Sequence, residues 1–195
     1  FGAGEPDFDT PDNIKEAAKR AIDEGFTKYT PTSGTPELRQ AICDKFKTDN
    51  GVEYAADKIL VSCGAKHSIY NAVQTLVDPG DEVIFQAPYW VSYPEFVKAA
   101  GGKPVIVEAG VDREYKMAAE QVRAAITNRT VLCILNSPSN PTGAVYSREE
   151  LAAIMEVLAE RNIAVISDEI YEKILYDGRQ HVCVPALKPE YKDMT

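Results

Sequence analysis

The residues able to do chemistry collect just after apolar runs. Asp168 follows Ala164-Val165-Ile166. A carboxylate there is partly buried and needs a partner, because an unpaired buried charge is costly. A protonated ring nitrogen is one such partner and would keep the ring cationic and electron-accepting; an Arg or Lys is another. Tyr171, three residues on, can donate its phenol to the same ligand. Asn140 lies in Asn136-Ser137-Pro138-Ser139-Asn140-Pro141-Thr142-Gly143, after the run Val131 to Leu135. Two prolines and a glycine within eight residues give a loop of fixed geometry, with room for a cis bond. Such a loop could hold the Asn140 amide toward a ring oxygen, or could be a rigid connector. Trp90, the only tryptophan, follows Val83-Ile84-Phe85 and Tyr89. Its plane could stack on a flat heterocycle or fill core. Gly64-Ala65-Lys66 follows Ile59-Leu60-Val61-Ser62, which reads as a buried strand. A strand, a glycine and a helix start expose N–H groups and a positive dipole end, suited to a phosphate. The same turn also serves as a plain connection. It is neither G-x-G-x-x-G nor G-x-x-x-x-G-K-[ST], so dinucleotide and nucleoside-triphosphate readings gain little.

The elements that must position these residues alternate. Thr10 with Pro11 opens a helix closed at Gly25, and Thr35-Pro36 opens one that runs to about Thr48. Ile69, Ala72, Val73 and Leu76 give a helical face after Gly64. Helices are expected over Val91 to Ala100 and Met117 to Ile126, and Ser147-x-x-Glu150 is a capping box for another. Between them stand the β-branched runs 83–85, 105–107, 131–135 and 164–166. Strands separated by helices predict an α/β fold, a mainly parallel sheet with flanking helices and right-handed crossovers. In such sheets ligands bind beyond the carboxyl ends of the strands, where the residues above collect.

Composition narrows the classes. The chain has 195 residues, 45% hydrophobic and 26% charged, an ordinary globular balance. Thirty acids against twenty-one bases give a net charge of −9, with no basic cluster for nucleic acid. No apolar run reaches the ~18–20 residues that cross a bilayer, and no leader is recognisable. Cys43, Cys63, Cys133 and Cys183 are widely spaced, with only His67 and His181 beside them, so no metal site is expected. Reduced thiols fit a cytoplasmic protein. Asn128-Arg129-Thr130 matches the glycosylation triplet and is read as chance.

Taken in order, the motifs resemble the class I/II pyridoxal-phosphate aminotransferases of fold type I, in the bacterial aspartate aminotransferase branch. They are Gly2-Ala3-Gly4-Glu5-Pro6-Asp7-Phe8; Lys28-Tyr29-Thr30-Pro31 with Gly34 and Glu37-Leu38-Arg39; Pro79-Gly80-Asp81-Glu82-Val83; Pro88-Tyr89-Trp90-Val91-Ser92-Tyr93-Pro94; Asn136 to Gly143; and Ser167-Asp168-Glu169-Ile170-Tyr171. The resemblance implies pyridoxal 5′-phosphate as cofactor. It puts Ala65 and Lys66 at the phosphate, Trp90 on the pyridine ring, and Asn140 and Tyr171 at its phenolic oxygen. Asp168 falls at its nitrogen. Gly4, Trp90 and Asn140 border substrate, and Tyr29 reaches the phosphate of a neighbouring subunit in a homodimer.

The departure is at the far end. The family's Schiff-base lysine stands in a Ser-x-Ser-Lys-like motif expected beyond Thr195, so no catalytic residue is assigned in this chain. Residues 1–10 read as a substrate-side segment and 11–195 as an incomplete cofactor domain. The implied activity, in a full-length parent, is transamination between an aspartate-like amino acid and a 2-oxo acid, with the 195-residue chain inactive alone. The alternatives are a non-catalytic cofactor-binding or dimerisation module, or a C–S lyase of the same fold.

Overall fold

The apolar runs bounded by turns become four strands: β1 (Glu82–Ala87), β2 (Lys103–Glu108), β3 (Thr130–Asn136) and β4 (Ala164–Asp168). This computed structural model describes residues 4, 5 and 7–195; Gly2, Ala3 and Pro6 of the first motif lie outside the described residues. All strand pairs are parallel, in the order β2-β1-β3-β4. The chain runs from β1 outward to β2, then returns to the other side of β1 for β3. That reversal leaves a crevice at the carboxyl ends of β1 and β3, the usual ligand position of an open α/β sheet.

The described residues form six α-helices, α1 (Asp12–Asp23), α2 (Pro36–Lys45), α3 (Ala65–Leu76), α4 (Ser92–Ala99), α5 (Ala119–Ala125) and α6 (Arg148–Ala159), of which α3 to α6 pack against the sheet, while α1 buries no residue. Side chains alternate across a strand, so each strand feeds two cores. Val83, Phe85, Leu132 and Ile134 pack with Ile69 and Val73 of α3 and Tyr93 and Val97 of α4. Ile84, Cys133, Leu135 and Val165 face the other way, against Val122 of α5 and Leu151, Ile154, Met155 and Leu158 of α6. A sheet covered on both faces needs continuous apolar strands, which is why the runs lack polar alternation.

Local signals set the helix ends. The Thr35 hydroxyl accepts from the Leu38 N–H at 3.3 Å, and α2 passes through a π-helical turn (Phe46–Asn50) before Gly51 closes it at φ 69°. The Ser147 hydroxyl accepts from the Glu150 N–H at 3.2 Å, while the Glu150 carboxylate accepts from the Ser147 N–H at 2.7 Å. α1 starts one residue late, with Pro11 rather than Thr10 as its cap, because Pro11 is extended at ψ 140°. α5 begins at Ala119, not Met117, because Ala118 is extended at φ −94°, ψ 157° and forms its cap; the Met117 N–H donates to the Tyr146 hydroxyl at 2.9 Å.

One expectation is corrected. Ile59-Leu60-Val61-Ser62 is extended but is neither a strand nor buried; Leu60 is 57% exposed. A strand exists only through a ladder, and this segment has no strand partner among the described residues. Its tie is the Val61 N–H to the Ser33 carbonyl at 3.0 Å, beside Gly34, where a Cβ would meet Val61 Cγ2 at 2.4 Å.

Candidate functional site

A cavity of about 160 Å³ opens at the carboxyl ends of β1, β3 and β4, lined by Ala65, Lys66, Trp90, Tyr93, Asn136, Asn140, Asp168, Ile170 and Tyr171. Six residues singled out by sequence meet there: Ala65, Lys66, Trp90, Asn140, Asp168 and Tyr171. Their segments lie up to a hundred residues apart, so the parallel sheet alone gathers them. Gly4 and Tyr29 lie outside this cavity; both are exposed, Tyr29 fully. Two larger cavities, of about 580 and 610 Å³, hold less of this chemistry. The 610 Å³ groove runs beside β4 past Ile59, Ile69, Leu76 and Ile166 and shares Ala65, Asp168 and Ile170 with the site.

At one end stands the turn before α3. Gly64 adopts φ 81°, ψ 165°, a conformation essentially reserved for glycine, and a Cβ there would meet nothing within 4 Å. The Ala65 and Lys66 N–H groups take no hydrogen bond among the described residues, whereas those of His67 and Ser68 already reach the Gly64 carbonyl. Two free donors at the positive end of a twelve-residue helix, behind an open glycine, fit an anionic oxygen cluster. The Cys63 N–H is held by His67 Nδ1 at 3.2 Å, which fixes the turn.

At the other end is Asp168, the last residue of β4 and 8% exposed. No Lys or Arg pairs with it among the described residues, so the salt-bridge reading does not hold. Its Oδ2 accepts from the Tyr93 hydroxyl at 2.7 Å and its Oδ1 from the Ile170 N–H at 3.3 Å. Burial first, then the Asp168 charge, pushes the Tyr93 phenol far above its usual range. Tyr93 therefore stays a hydrogen-bond donor to Asp168. A buried carboxylate with neutral donors only is suited to a cationic ligand nitrogen.

Trp90 stands between these ends, half-buried, edge-on to Tyr93 (5.4 Å, 86°) and Phe96 (5.9 Å, 76°). The Lys66 ammonium sits 5.1 Å from its ring centroid, a cation–π contact at the mouth of the cavity. Asn140 follows the cis bond Ser137-Pro138 and precedes the cis bond Asn140-Pro141. Its amide points at the Tyr171 hydroxyl, 3.5 Å away, a long contact that leaves both groups with capacity for a ligand oxygen.

Sequence reasoning gave no role to Tyr93 or Asn136. The available signal for Asn136 was a polar residue closing an apolar strand, which must find partners when buried. Glu169, beside Asp168, turns away from the cavity. It accepts from Ser167 Oγ (2.7 Å) and the Val184 N–H (3.1 Å) and faces His181 Nε2 (2.7 Å).

Comparison with known proteins gives a concordant result. Residues 1–194 match the family described as aminotransferase class I and II. The chain is 54% identical over 195 residues to an aspartate aminotransferase of Bacillus sp. (strain YM-2), covering all of this chain and 50% of that protein. It is 53% identical to an aspartate/prephenate aminotransferase of Cereibacter sphaeroides, covering 49% of that protein. The crystal structure of the aspartate aminotransferase from Rhizobium meliloti superposes with a TM-score of 0.96 at 47% identity, over 98% of this chain and 48% of that one. Thermus thermophilus aspartate aminotransferase with maleate gives 0.93 at 48% identity, over 97% of this chain and 49% of that one. The chain thus spans about half the length of the curated relatives it matches.

Proposed function

The chain belongs to the class I and II aminotransferases, pyridoxal-phosphate-dependent enzymes, and on that premise we propose that its cavity holds pyridoxal 5′-phosphate for transamination of an aspartate-like amino acid with a 2-oxo acid in the full-length protein. The observation that carries this reading is one small cavity with two free N–H groups at one end and a buried carboxylate free of Lys or Arg at the other. A ligand with an anionic tail and a cationic aromatic nitrogen complements both.

Bound there, the cofactor supplies a ring that accepts the electron pair released at the substrate's α-carbon. The residues of this chain hold and bias it. Ala65 and Lys66 donate backbone N–H groups to the phosphate at the start of α3. Trp90 would offer its indole plane to the ring, beside the Lys66 ammonium 5.1 Å from its centroid. Asp168 keeps the proton on the ring nitrogen, with Tyr93 and the Ile170 N–H holding the carboxylate still. Asn140 and Tyr171 donate to the phenolic oxygen from one side. Gly4, within the substrate-side segment 1–10, borders the substrate carboxylate, and Tyr29, on the exposed surface, reaches the phosphate of a second subunit in a homodimer. The covalent lysine is assigned to none of the lysines here.

The test is the full-length protein with pyridoxal 5′-phosphate, aspartate and 2-oxoglutarate. Formation of oxaloacetate and glutamate, lost with Asp168→Ala, is expected. Turnover unaffected by Asp168→Ala would remove this cavity from the reaction, and cleavage of a C–S substrate without amino transfer would replace the activity.

A further inference from the structure

Asn136 closes β3, is 5% exposed and lines the cavity, yet its amide is engaged by protein partners. Both ends of that amide are committed. Its Nδ2 donates to the Asp168 carbonyl at 2.9 Å, and its Oδ1 accepts from the Asn140 N–H at 2.8 Å. The Ser137 N–H donates to the same Asp168 carbonyl at 3.2 Å. Asn136 and Asp168 are register partners across β3 and β4, so a side chain at this position alone reaches both the end of β4 and the loop beyond β3.

We propose that Asn136 is a positioning residue that sets the separation between the Asn140 amide and the Asp168 carboxylate, and hence the orientation of a pyridine ring held between them. This rests on the cofactor reading above. The contacts close a ring around the cavity: Asn136 to Asp168, Asp168 through the chain to Tyr171, Tyr171 to Asn140, and Asn140 back to Asn136. Prolines on either side stiffen the Asn140 backbone but do not anchor it to β4; the Asn136 amide does. No other uncharged side chain of this size is a donor and an acceptor in one plane. Aspartate keeps the acceptor but turns an oxygen toward the Asp168 carbonyl. Alanine abandons both partners, and glutamine pushes the loop outward by a methylene.

The experiment uses the apo full-length protein and pyridoxamine 5′-phosphate, which carries the same ring and phosphate but cannot form an imine with a lysine. Affinity is measured by calorimetry and the melting temperature is recorded alongside. Asn136→Ala should weaken binding about tenfold, the scale of one well-placed buried hydrogen bond. Asn136→Asp should weaken it comparably, despite its size. In an Asn140→Ala background, Asn136→Ala should cost less than about a third of its original fold-change, because one of its two routes is already gone. Equal, additive losses in both backgrounds would reduce Asn136 to general stability and overturn the proposal. Wild-type affinity in both Asn136 variants would overturn it as well, and so would failure of both to fold. Asp168→Ala and Asn140→Ala serve as references. If neither weakens binding, the cofactor reading is wrong; if both do while the Asn136 variants do not, only this inference falls.

Discussion

Replacing Tyr93 with phenylalanine removes one oxygen from the centre of the site and little else. The Tyr93 ring is 2% exposed and packs against Trp90 and Phe85, contacts that phenylalanine keeps. What disappears is the 2.7 Å bond to Asp168 Oδ2. Hydrogen bonds to charged groups contribute about 1.5–3 kcal/mol, roughly twice a neutral one. Asp168 is 8% exposed and its remaining bond, from the Ile170 N–H, is 3.3 Å long, so water reaches the stranded oxygen poorly. A loss of about 2–3 kcal/mol is therefore expected. For a chain of this size that corresponds to a melting temperature lower by about 4–12 °C. Urea unfolding followed by Trp90 emission is a direct assay, since the chain has no other tryptophan. The midpoint should fall while the slope with urea stays constant, because the exposed surface is unchanged. A loss below about 0.5 kcal/mol would refute the reasoning: the carboxylate would then be solvated or otherwise paired, and a site organised around a sparsely solvated charge would not exist.

Other perturbations probe the scaffold and the cavity separately. Gly102→Ala should destabilise by about 1–3 kcal/mol, because its Cβ would meet Val77 Cγ1 at 2.6 Å and Val97 Cγ1 at 3.0 Å; an unchanged thermal melt would show that the α3–α4 packing is looser than described. Of the four free cysteines only Cys63 is exposed, and burial pushes the Cys133 thiol up to about 12, so a disulfide reagent at pH 8 should titrate one thiol in the folded chain and four in urea. Two fast thiols would contradict the packing. Borohydride reduction of this chain mixed with pyridoxal 5′-phosphate should leave no cofactor fixed in the cavity, read by peptide mass mapping; a stoichiometric adduct on Lys66 would assign the covalent role to a residue here. The Thr127 hydroxyl first, then Lys103, hold the Glu82 carboxyl below its usual value. A depressed folded value adds stability that is complete above about pH 4.5 and is lost as pH falls through the folded value. Glu82→Gln should therefore flatten the acid limb of the stability–pH curve, and an unchanged limb in acid titration would discount that cluster.

Much of the framework was legible because its causes are local. The Ser147–Glu150 box, the Thr35 cap and the four apolar runs each depend on residues a few positions apart, and each stands where the pattern put it. The site residues were legible as types: a glycine before a helix, a lone tryptophan, an amide between prolines and a carboxylate closing an apolar run. Ile59 to Ser62 has the composition of a strand and is not one, because a strand is a relation between two segments and composition describes only one. In the same way, nothing near Asp168 in the chain announces that its partner is Tyr93, 75 residues earlier, rather than a lysine. Nor could spacing show that Asn136 joins the two loops. Those outcomes follow from the order β2-β1-β3-β4 and its register, which bring distant side chains within 3 Å of each other. Local chemistry chose the residue types; hydrogen bonding across the sheet chose their partners, since it depends on distances that exist only after the chain has folded.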